Sequence, residues 1–156
     1  METKKIINEV KQYFDIRELV SPVVFNKYGQ SAWRFIDPRL LAVLLVLRRD
    51  ILGVPLVCNN WKSGGTFQQR GLRENLCEIS KGKTMAGTLY VSAHTLGMAV
   101  DLSSGKMSAD QMRKAINDNA EKLPYNVRIE SAKGAPTWLH IDVATEPEQA
   151  TKILYF

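Results

Sequence analysis

An α+β fold, a small antiparallel sheet with helices packed on one side, is the architecture this sequence predicts. Three features point to it. Apolar residues recur at helical spacing in the first third of the chain, a capping signal opens a further helix at Ser108, and two segments near the carboxyl end alternate apolar with polar residues. The 156 residues suit a single domain, 1–156, long enough to bury a core.

In the first helix Ile6, Ile7, Val10 and Phe14 share a face, and Thr3 is the expected cap. After an irregular stretch to Ile36, Asp37-Pro38 reads as cap and first-turn proline of a strongly apolar helix running to about Leu52 and ended by Gly53. Arginines stand only at its ends, so this helix should be buried. A short strand is expected over Val54–Asn59. The stretch Trp61–Lys83, with glycines and no sustained period, reads as a long functional loop. Ser108 and Gln111 form a capping box for a helix to about Leu123, stopped by Pro124. The segments Asn126–Glu130 and Trp138–Ala144, joined by SAKGAPT, read as a hairpin.

Composition narrows the function. The longest apolar run, Leu40–Leu47, is too short to cross a bilayer, and the charged amino terminus lacks the apolar core of a signal peptide. Synthesis in the cytoplasm follows as the expectation. Cys58 and Cys77 lack CxxC spacing and should be free, partly buried thiols. A net charge of +5 favours an anionic partner. The cations are dispersed and no nucleic-acid motif accompanies them, so a carboxylate-bearing polymer fits better than nucleic acid. Neither nucleic acid nor a membrane is expected as a partner, and a monomer is favoured.

The chain has two histidines, His94 in SAHTLGMAVD and His140 in WLHID. In the second segment Leu139, Ile141 and Val143 should face the core, leaving Trp138, His140 and Asp142 on the opposite face. In the partner strand Val127 and Ile129 take the core side, which puts Arg128 and Glu130 on the face of His140. Paired or diagonal neighbours across strands lie roughly 5–8 Å apart at Cβ, so Glu130 can stand beside a metal held by His140 without ligating it. His94 and Asp101 have opposite parity, and one unbroken strand would separate them. Gly97 between them can supply the turn or bulge that brings Asp101 to the face of His140. Two imidazoles and a carboxylate then make a three-ligand zinc site. The plainer alternative is two half-buried histidines hydrogen-bonded in strands.

The pattern Ser92-x-His94-x-x-Gly97-x-Ala99-x-Asp101, followed by Trp138-x-His140, resembles the zinc peptidases of the M15 family. These D-alanyl-D-alanine carboxypeptidases and phage endolysin-type peptidases share a fold with hedgehog signalling domains. Asn59-Asn60-Trp61-Lys62-Ser63, Phe67–Arg73 and Arg128-Ile129-Glu130 resemble a phage- and prophage-associated branch. The likeness covers about Pro38–Val143.

The resemblance implies His94, Asp101 and His140 as ligands of Zn2+, and peptide bonds of peptidoglycan as the substrate. It further implies an acidic residue that deprotonates the attacking water, and an upstream cation, Lys62 or Arg70, that steadies a substrate carboxylate or oxyanion. Many relatives carry the acid three residues before the last histidine, where this chain has Thr137. The base must then be Glu130 or Asp142, unless Asp142 orients His140. Without a base within reach, the domain would be a zinc-containing binding or structural module.

Overall fold

The computed structural model describes residues 2–156. Helix α1 spans Thr3–Val10, α2 Ile16–Leu19, α3 Pro22–Tyr28, α4 Pro38–Val46, α5 Lys81–Met85 and α6 Ala109–Asp118. The strands are β1 (Ala99–Leu102), β2 (Val127–Ile129), β3 (Leu139–Asp142) and β4 (Ile153–Tyr155). They form one sheet in the order β1-β3-β2-β4. The α+β class holds, but the sheet is mixed rather than antiparallel, because β4 runs parallel to β2.

Helix α4 is the buried centre. Asp37 caps it by accepting from the backbone N–H of Arg39 at 2.8 Å, and every residue from Leu40 to Leu45 is buried. A helix apolar on all sides has to lie inside the molecule. It passes into a π-helical turn at Leu47–Ile51 before Gly53. One buried cluster joins Ile6, Val10 and Phe14 to α4, to Met112 and Ile116 of α6, and to the inner face of the sheet. That inner face is Val100, Leu102, Val127, Ile129, Leu139, Ile141 and Val143.

Several local expectations need correction. Thr3 is already helical and Glu2 holds the cap position, with no side-chain hydrogen bond. Val54–Asn59 is not a strand: only Val57 bridges, to Ser103, and Pro55 has no N–H for a ladder. The long loop holds a 3-10 turn at Trp61–Ser63 as well as α5. The capping box of Ser108 and Gln111 is present, but α6 ends at Asp118 and a 3-10 turn at Ala120–Lys122 completes the approach to Pro124.

Cys58 and Cys77 are unpaired and buried. Among the described residues no helix is long and apolar enough to cross a membrane.

Candidate metal centre

Strand pairing sets up the site. In the β1–β3 register Asp101 lies opposite His140, so the two side chains share the outer face of the sheet. His94 arrives from the turn before β1. That turn is closed by Leu96 N–H donating to the Ser92 carbonyl (3.1 Å) and by Met98 N–H donating to the Ala93 carbonyl (2.8 Å). Gly97 has φ +69°, and a Cβ there would run into the Phe35 carbonyl. This left-handed residue removes the parity conflict between His94 and Asp101. The Gly97 carbonyl also accepts from Asp37 N–H at 2.9 Å, which ties the turn to the cap of α4.

Three side chains converge. Asp101 Oδ1 lies 2.8 Å from His140 Nδ1, and Asp101 Oδ2 lies 3.4 Å from His94 Nε2. One donor atom from each of His94, Asp101 and His140 falls within 4.8 Å of the others, a group able to hold a metal ion. Both histidines are buried. Each has its remaining ring nitrogen engaged: His94 Nδ1 is 3.0 Å from the Gly71 carbonyl, and His140 Nε2 is 3.0 Å from Asp142 Oδ2. With those nitrogens keeping their protons, loss of the proton from His140 Nδ1 would leave Nδ1 and His94 Nε2 as lone-pair donors on the side of Asp101, the arrangement that metal-ligating histidines need. Gly71 is itself fixed on α2, since any Cβ there would strike the Leu19 carbonyl and Leu72 N–H donates to that same carbonyl at 2.9 Å.

Burial alone would push the Asp101 carboxyl up, but the hydrogen bonds to His140 and His94 outweigh it and hold the group well below the usual carboxylate range. Burial likewise opposes charge on His140. The carboxylates of Asp101 and Asp142 override it and raise His140 to about 9. Without metal, a proton therefore occupies the place a cation would take, and metal uptake near neutral pH should displace it.

A stability profile follows by linkage. His140 rises from 6.5 to about 9 on folding, so its contribution is complete below pH 6.5 and is lost as pH climbs through 9. Asp101 is depressed from 3.8, so its contribution is complete above that pH and is lost on acidification. Thermal melts of chelator-treated protein should peak between about pH 4 and 6.5 and fall toward pH 9. A Tm that keeps rising from pH 6.5 to 9 would contradict this charge arrangement.

Asp142 is fully buried and fully engaged. Its Oδ1 accepts from Arg128 Nε (2.9 Å) and Ala144 N–H (3.0 Å), while Oδ2 faces Arg128 Nη2 (3.1 Å) and His140 Nε2. It sits against the His140 nitrogen that points away from Asp101, so it orients the ring. Glu130 lies just past the end of β2, where its N–H donates to the His140 carbonyl at 3.3 Å. Its carboxylate is turned onto Gly134 in the 131–137 connection. Thr137 is exposed.

The two upstream cations differ. Arg70 donates to Ser103 Oγ at 2.7 Å, stacks 3.6 Å over Phe67, and offers its carbonyl to Asp101 N–H at 2.7 Å. Burial lowers the Arg70 guanidinium from its ordinary value, opposed by the nearby Asp101 carboxylate. Lys62 instead pairs with Glu18 of α2 at 3.3 Å. The asparagines before it act as braces: Asn59 Oδ1 accepts from Arg70 N–H (2.9 Å) and Asn60 Oδ1 from Phe67 N–H (2.8 Å).

Sequence reasoning passed over Arg73. It is buried, donates through Nη1 to the Gln69 carbonyl at 2.9 Å, and leaves Nε without a partner. It lines a cleft of about 470 Å³ with Tyr28, Phe35, Leu72, Thr95 and Leu96, next in the chain to Gly71 and His94. A second arginine in RGLR was the available signal.

Compared with protein-family models, curated proteins and solved structures, the chain matches none.

Proposed function

We propose that this chain is a zinc-dependent peptidase of the M15 kind, with a hedgehog/DD-peptidase-like fold, hydrolysing peptide bonds in bacterial peptidoglycan. The observation that carries the reading is the convergence of His94 Nε2, Asp101 and His140 Nδ1, each imidazole held by a partner on its other nitrogen. Two nitrogens and one carboxylate oxygen suit zinc, and three protein donors leave a position open, as in catalytic sites. Zinc held there would supply Lewis acidity toward a water and a peptide carbonyl.

The chain's own residues do the rest. His94, Asp101 and His140 bind the ion, and Asp142 keeps Nδ1 of His140 free of its proton. Glu130 takes the proton of the attacking water and returns it to the leaving amine. Asp142 is unsuited to that role, since Arg128, Ala144 and His140 use its lone pairs. Arg70 lies on the Asp101 side of the site and Arg73 lines the adjoining cleft, where stem-peptide carboxylates would meet them. A net charge of +5 draws the protein to that acidic polymer. The likeness to phage-associated peptidases suggests release to the wall by a lytic route.

A second reading is favoured by one feature. With Thr137 in the usual acid position and the Glu130 carboxylate against Gly134, the site would bind zinc without hydrolysis. Incubation with purified peptidoglycan separates the two. The zinc-loaded protein should release new amino groups, a chelator should stop the release, and added zinc should restore it. A zinc-loaded protein that releases none would point to the binding module.

A further inference from the structure

The outer face of the sheet carries a second layer around His140. In the β1–β3 register Asp101 stands beside His140, and Glu130, just past the end of β2, is tied to the His140 carbonyl by its N–H. Continuing the parallel β2–β4 register places Phe156 beside Glu130. Phe156 is anchored there by its backbone: its N–H donates to the Ile129 carbonyl (3.2 Å) and its carbonyl accepts from Ser131 N–H (2.8 Å).

The Phe156 ring reaches back across the row. Its centroid lies 5.7 Å from that of His140 at an interplanar angle of 89°, and the Arg128 guanidinium sits 4.9 Å over its face. Arg128 holds both oxygens of Asp142, and Asp142 holds Nε2 of His140. One ring thus touches the last metal ligand directly and covers the arginine that fixes that ligand's orienting carboxylate. It does so while half-exposed, at 51%, so burial of the ring does not by itself account for its position.

We propose that Phe156 is a positioning residue of the metal centre, holding the Arg128–Asp142 pair in register with the His140 ring. The inference rests on His94, Asp101 and His140 being metal ligands. Cation–π contact limits the directions Arg128 can take, and the ring edge limits rotation of the imidazole. Removing the ring leaves the ligand set intact but lets the carboxylate and imidazole drift from their common plane.

The test compares zinc affinity, by competition with a chelating indicator, in wild type, Phe156→Ala, Phe156→Leu and Phe156→Tyr, with and without Arg128→Lys. Phe156→Ala should weaken zinc on the order of three- to tenfold, Phe156→Leu should recover only part, and Phe156→Tyr should recover nearly all. In the Arg128→Lys background the loss from Phe156→Ala should shrink, because both act on Asp142. A metal-free readout accompanies it. The chain has two histidines, so the ring N–H signal of His140 is assignable by NMR, and its solvent exchange should quicken in Phe156→Ala.

Unchanged zinc affinity in folded Phe156→Ala, or full additivity with Arg128→Lys, would overturn the proposal. If Phe156→Ala does not fold, Phe156→Leu decides on the same criteria. A wild type that takes up no zinc would sink the metal reading, whereas the exchange measurement would still report whether Phe156 holds His140.

Discussion

Replacing Glu130 with glutamine is expected to lower turnover on peptidoglycan about 10²–10⁴-fold while zinc content stays at the wild-type level. Glutamine keeps the shape and loses the basicity. Glu130 stands opposite His140 but lies outside the group of ligand atoms, so its loss should not touch metal binding. Its carboxylate packs on Gly134, so action as the base would require a change of side-chain rotamer toward the ligand group. Rate and metal content have to be measured on the same preparation. Full activity in Glu130→Gln would remove Glu130 from the mechanism.

Asp142→Asn is expected to act on the metal, weakening zinc by about 10- to 100-fold. The amide cannot reproduce four accepted hydrogen bonds. With its oxygen kept on Arg128 Nε and Ala144 N–H, its NH2 group meets Arg128 Nη2 and His140 Nε2. An N–H pointing at Nε2 favours the tautomer with the proton on Nδ1, the nitrogen that should ligate. The loss of rate in this variant should then be recovered at high zinc. If Asp142→Asn abolished turnover with zinc still fully bound, and Glu130→Gln kept full activity, the two carboxylates would have to exchange roles.

The outer face of the sheet was legible because a strand has a period of two residues. Leu139, Ile141 and Val143 mark the core side of β3, and that fixes His140 and Asp142 on the other. The opposed parity of His94 and Asp101 required a break between them, and Gly97 there has a positive φ. What escaped was set by long-range contacts or by backbone atoms. Strand β4 is three residues long and pairs in parallel with β2, far too short to show alternation. The group that holds His94 is the Gly71 carbonyl, and a backbone oxygen has no signature in a sequence. Lys62, Arg70 and Arg73 are equivalent as charges in one loop. Only folding separates the one paired with Glu18 from the one beside Asp101 and the one buried in the cleft.

If His94, Asp101 and His140 form one metal centre, elemental analysis should find its ion. Wild-type protein, His94→Ala and His140→Ala should be purified alike, loaded with zinc, passed through a desalting column and assayed for metal per chain, with circular dichroism confirming the fold. Wild type should retain about one zinc per chain and each variant essentially none. A folded variant that keeps its full zinc, or a wild type that keeps none, would contradict the centre.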